Sequence, residues 1–151
     1  MRVLDLKKLS KWLTIDMIFF VALNIVLLYY LGDRIEFLIH IGIFKLLILG
    51  LAVYRGANIL SNEVITKPLR APFVDEKEVN GKVVESPKKK GFAGAFGLLI
   101  FCPSCTGVWI AAILIYLYAF LPGVTFAIWL LLASSALERI FSALVEHLKK
   151  K

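Results

Sequence analysis

From residue 92 to residue 137 the chain carries no Asp, Glu, Lys or Arg. Interrupted only by Pro122-Gly123, so apolar a stretch is too long for one helix and long enough for two crossings of a bilayer, each needing roughly 20 residues. Two more apolar segments precede it. Residues 12–31 are broken only by Asp16 and Asn24, and residues 35–54 enclose His40 and Lys45. With 60% hydrophobic and 19% charged residues in 151, the chain holds more apolar side chain than a soluble core of its size can cover. We expect an all-α fold: a polytopic membrane protein, one domain over residues 1–151, with four transmembrane helices. The first apolar run is followed by a charged turn and a second run, with no small-residue cleavage site, so it is expected to stay on the protein.

Prolines set the expected boundaries. The run over residues 92–121 exceeds one straight crossing, and Pro103, favoured in a first helical turn and disfavoured in a helix interior, divides it. The third span is then expected over 103–121, with the glycine-spaced GFAGAFG inside an interfacial segment, 92–102. After Pro122-Gly123 a fourth span covers 123–137. Ile140, Phe141, Leu144, Val145 and Leu148 recur at helical spacing beyond it, which predicts an amphipathic helix over 138–151, running on from the span or bending along the surface.

Cations orient these spans. Four Lys and Arg lie in residues 1–16, eight in 55–91 and four in 138–151, which is 16 of 18, leaving Arg34 and Lys45. The positive-inside rule places both termini and the 55–91 loop in the cytoplasm. A net charge of +7 suits anionic lipid. Nucleic acid is not expected as a partner, because the cations are interspersed with acids and lack stacking aromatics. Within the loop, Asn80-Gly81 between β-branched runs predicts a small hairpin, followed by a flexible PKKK.

Three groups of residues could carry chemistry. In KPLRAPF, Pro68 and Pro72 stiffen a strip that presents Lys67 and Arg70, two cations suited to a phosphate. Lys45, expected near the middle of its span and too deep to snorkel easily, needs a partner or water, as does His40; a proton or ion relay, a ligand counter-charge and an interhelical hydrogen bond all satisfy that need. Cys102 and Cys105, spaced as Cys-Pro-Ser-Cys at the start of the third span, fall where a helix dipole stabilises a thiolate. Two small thiols and Gly107 that simply let another helix approach are the alternative. Two Cys and two distant His do not make a four-ligand zinc site, so no metal is expected.

NEVITKPLRAPF, followed after an insert by GLLIFCPSCTGVWIAAILIYLY, resembles a bacterial family of small membrane proteins known as domain of unknown function 1360, some of whose members carry sporulation labels. The similarity covers about residues 50–145, with Thr66, Pro68, Arg70, Pro72, Cys102, Cys105, Gly107 and Trp109 at motif positions. Glu63 is the counterpart of an acidic residue in the family. The resemblance implies a bacterial cell-membrane location and brings no activity with it.

No Ser/His/Asp set, helical His-Glu-x-x-His, phosphate-cradling glycine loop or close intramembrane carboxylate pair is present, so no catalytic residue is assigned and no cofactor is expected. The leading expectation is recognition of an anionic lipid or phosphate-bearing amphiphile at the cytoplasmic leaflet, with Lys67, Arg70, Lys45, His40 and Glu63 as ligand-binding candidates. A non-enzymatic assembly or partner-binding protein, self-associating through the third span, is the alternative. A membrane thiol oxidoreductase using Cys102 and Cys105 is a second alternative.

Overall fold

The computed structural model describes residues 6–32, 40–79, 82–87 and 91–149. Among the described residues five long or medium helices stand out: α1 (Leu6–Tyr30), α2 (Ile43–Asn62), α3 (Gly91–Phe101), α4 (Pro103–Phe120) and α5 (Pro122–Lys149). Between α2 and α3 come a 3-10 turn (Val64–Thr66), one α-turn (Lys67–Arg70), a second 3-10 turn (Ala71–Phe73) and two strands, β1 (Val74–Val79) and β2 (Lys82–Pro87). The strands pair antiparallel, from Val74 opposite Pro87 to Val79 opposite Lys82. That is the hairpin expected from the sequence, and its Asn80-Gly81 connection lies outside the described residues, as do residues 88–90 of the PKKK segment.

Proline starts two helices. Pro103 and Pro122 each stand at the first helical position, where the missing N–H costs nothing and the fixed φ already suits the helix. Leu121 closes α4 through its N–H to the Leu117 carbonyl and opens α5 by accepting from the Thr125 N–H, so one residue joins the two helices. α2 begins at Ile43, with Gly42 accepting the first helical hydrogen bond from Leu46. It therefore runs beyond Tyr54, where the second span was expected to end, and the start of that expected span lies outside the described residues. Continuous helix through Arg55 is possible because its charge has a partner: Nε–H donates to Ser135 Oγ at 2.8 Å. α5 also continues unbroken past residue 137 to Lys149.

Among the described residues α2, α4 and α5 are long and apolar enough to cross a membrane, while the apolar part of α1, Thr14–Tyr30, is shorter. Large apolar side chains lie exposed along all four, Met17, Phe44, Ile113 and Leu131 among them. Such surface suits hydrocarbon rather than water.

The chain divides into two units, one of Met1–Tyr30 and Ile59–Thr106, the other of Leu31–Asn58 and Gly107–Lys151. In the first, α3 packs against α1, β2 and the Ala71–Phe73 turn, and the Phe73 and Phe96 rings meet at 4.9 Å. In the second, Ile48, Leu49 and Ala52 of α2, Leu114 of α4, and Trp129 and Ala133 of α5 form the core. Trp129 is 0% exposed and stacks on Tyr118 with ring centroids 4.7 Å apart. Small residues bring α2 and α4 together: a Cβ on Gly56 would lie 3.2 Å from Ile110 Cγ2, and one on Gly107 would touch Val53 and Ala57. Where lipid competes equally well for apolar surface, such close approach supplies the packing that holds helices together.

Candidate functional sites

The first constellation closes the end of α2. A helix that stops leaves its last carbonyls without intrahelical donors, and in apolar surroundings each needs another. Thr66 supplies one: its hydroxyl donates toward the carbonyls of Ile59 at 2.6 Å, Glu63 at 3.0 Å and Leu60 at 3.4 Å. Arg70, only 5% exposed, supplies another, its Nη1–H reaching the Leu60 carbonyl at 3.0 Å and Thr66 Oγ1 at 3.4 Å. The intervening Lys67–Arg70 turn, with Pro68 near its start, folds the guanidinium back onto the helix end. A cation there also meets the negative end of the helix dipole. Lys67 is half-buried in the same turn, and Glu63 is the residue in extended conformation where the chain leaves α2.

The second lies in the other unit. Lys45 stands in the first turn of α2. Its ammonium donates to the Tyr118 hydroxyl at 3.3 Å and sits 5.9 Å from the centroid of that ring. His40, Ile41, Lys45, Tyr118, Ala119 and Pro122 line a partly open cavity of about 410 Å³. The structure thus joins His40 and Lys45 at this cavity and puts Lys67, Arg70 and Glu63 together at the end of α2. Tyr118, which carries the Lys45 contact, was missed from the sequence; 73 residues separate the pair, and nothing local marks it.

The third is the Cys-Pro-Ser-Cys turn. Cys102 is the N-cap of α4: its carbonyl accepts from the Thr106 N–H at 2.9 Å, and its sulfur accepts from the Cys105 N–H at 3.4 Å. The Cys105 thiol donates to Cys102 Sγ across 2.7 Å, and neither cysteine is in a disulfide. Those two hydrogen bonds, the thiol's first, hold the Cys102 thiol below the ordinary cysteine range. Cys102 is half-buried and Cys105 exposed. Thr106 repeats the device of Thr66, its hydroxyl donating seven residues back to the Leu99 carbonyl at 2.9 Å and so closing α3. Among the described residues no group of three or more His, Cys, Asp or Glu could hold a metal ion.

No solved structure matches the chain. It is 37% identical to "Sporulation protein YjcA" of Bacillus subtilis (strain 168) over 105 residues, 66% of this chain and 89% of that protein. It is 33% identical to "UPF0713 protein YngL" of the same organism over 116 residues, 75% of this chain and 82% of that protein. Residues 48–145 match the family described as "Protein of unknown function (DUF1360)", a stretch that contains the Thr66–Arg70 closure, the cysteine pair and the Tyr118–Trp129 stack. The chain belongs to that family.

Proposed function

We propose that this is a multi-span bacterial cell-membrane protein that holds a phosphate-bearing anionic headgroup in the cavity around Lys45. The observation that carries this reading is a cation in the first turn of a helix, hydrogen-bonded to a phenol, at the edge of about 410 Å³ of space. The positive end of the α2 dipole adds to the ammonium's attraction for an anion. His40 supplies a second nitrogen donor, and Ile41, Ala119 and Pro122 give the apolar wall that an amphiphile's glycerol region requires. With both termini and the 55–91 loop cytoplasmic, the start of α2 lies at the outer face, so the headgroup enters there. Lys67 remains the cation for the cytoplasmic leaflet, while Arg70 serves the helix end. The printed name of one relative makes the sporulating cell the setting in which we would seek a phenotype.

Lipid retention from bilayers of mixed phosphatidylglycerol and phosphatidylcholine, read by native mass spectrometry, tests this. Lys45→Ala should reduce the preference for the anionic lipid about tenfold, equivalent to roughly 1.4 kcal/mol. An unchanged preference in a folded variant would leave the assembly reading, which the exposed row of Phe141, Leu144, Val145 and Leu148 on α5 favours as a contact face for a partner.

A further inference from the structure

Two observations converge on the turn between α3 and α4. One is the position of Cys102 at the N-cap of α4, where unpaired N–H groups and the helix dipole favour a thiolate. The other, independent of it, is a second sulfur 2.7 Å away on the residue that also gives Cys102 its backbone hydrogen bond. Packing alone requires only small side chains here, and Gly107 with Ala57 and Val53 already meets that requirement. We propose that Cys102 and Cys105 are a redox-active dithiol that reduces disulfides, Cys102 attacking and Cys105 resolving.

The roles follow from the hydrogen bonds. Cys102 accepts from both the Cys105 thiol and the Cys105 N–H, so negative charge is stabilised on Cys102 and the shared proton resides on Cys105. The Cys102 thiolate attacks one sulfur of a disulfide RS–SR, forming a Cys102–S–S–R bond while the other half leaves as RS⁻ and takes a proton. Cys105 then loses its proton and attacks Cys102 Sγ, forming the Cys102–Cys105 disulfide and expelling the second RS⁻, which is protonated. The two protein thiols are oxidised, one RS–SR is reduced to two RSH, and atoms and electrons balance. Pro103 between them starts the helix and fixes both residues in its first turn, so the resolving attack needs little rearrangement.

The oxidant class is a disulfide, either low-molecular-weight or on a protein. The full chain in detergent, and in right-side-out and inverted vesicles, would be incubated with glutathione disulfide in one arm and with an oxidised thioredoxin-type protein in the other. Free thiols would be counted by maleimide mass shift. Both thiols should be lost together and return on reduction. The arm reacting faster identifies the oxidant, and the vesicle orientation that reacts identifies the compartment. Cys105→Ser should accumulate one mixed disulfide on Cys102, whereas Cys102→Ser should form it at least about tenfold more slowly, as its remaining thiol lacks the N-cap position. In wild type the alkylation of Cys102 should persist to lower pH than in Cys105→Ala, because the latter removes the thiol donor and leaves the backbone N–H on Cys102 Sγ. Thiols that stay reduced in excess of both disulfides, or single variants that behave alike, would overturn the proposal. The wild-type thiol count needs no variant and stands even if a substitution fails to fold.

Discussion

Replacing Arg70 by Met keeps most of the buried aliphatic stem and removes the guanidinium, so it isolates what the charge does. The lost group donates to the Leu60 carbonyl at 3.0 Å and to Thr66 Oγ1 at 3.4 Å, at the C-terminal end of α2. A hydrogen bond from a charged donor contributes about 1.5–3 kcal/mol. The cation's interaction with the helix dipole adds about 0.3–1 kcal/mol. Thr66 still reaches Leu60 in the variant, though only at 3.4 Å, so the carbonyl is poorly compensated. We expect Arg70→Met to lose about 2–4 kcal/mol of stability, and Arg70→Lys to recover part of it, since an ammonium keeps the charge but not the planar fork. Unfolding in mild detergent followed by tryptophan fluorescence measures this, with lipid retention read on the same samples. Combined with Thr66→Val the losses should be less than additive, because the two side chains share the Leu60 carbonyl. If Arg70→Met unfolds like wild type yet loses its preference for anionic lipid, the closure argument is refuted and Arg70 is a ligand residue after all.

Three other outcomes follow from the same geometry. Cysteines introduced at Gly32 or Gly123 should react with an impermeant maleimide in intact cells while one at Gly81 is spared; labelling of the Gly81 site from outside would reverse the orientation drawn from 16 of 18 cations. Gly56→Ala should fall within about 1 kcal/mol of wild type, the gain in helix propensity offsetting a Cβ 3.2 Å from Ile110, whereas Gly56→Val should cost about 1–3 kcal/mol, and equal unfolding midpoints for the two would show that α2 and α4 are not in close contact there. Trp129→Ala should cost about 3–5 kcal/mol and Trp129→Phe much less, since the buried indole N–H has no hydrogen-bond partner to lose; comparable losses in detergent unfolding would mean that the N–H is bonded after all.

The sequence was most informative where one residue acts on its own backbone. Pro103 and Pro122 start helices, and Asn80-Gly81 lies between the two paired strands, because φ restriction and turn preference need no distant partner. Helix α2 goes on past Arg55, whose guanidinium donates to Ser135, 80 residues away, a partner that nothing local marks. Lys45 was legible as a candidate, but its partner Tyr118 was not, because 73 residues separate the two. The strip Pro-Leu-Arg-Ala-Pro-Phe folds into short helical turns, with Lys67 and Ala71, the residues before its two prolines, both in the αR region rather than extended, and nothing local says which way the guanidinium turns. Only the unsatisfied carbonyls at the end of α2 decide that. The cysteine turn was legible in position, while the hydrogen bonds from Cys105 to Cys102 Sγ depend on how the turn folds, which the spacing alone does not state.

The contact between Phe73 and Phe96 has a topological use. It pinches the chain where the hairpin leaves and α3 is under way, so β1 and β2 hang from a closed base, and the helix end held by Thr66 and Arg70 lies on the near side of it. Lengthening a connection beyond such a pinch costs only about 0.6 kcal/mol per doubling. An insertion at the far end of the hairpin should therefore be tolerated: a fluorescent reporter or epitope placed between Val79 and Lys82 should ride on the protein without disturbing either the thiols or the Lys45 cavity.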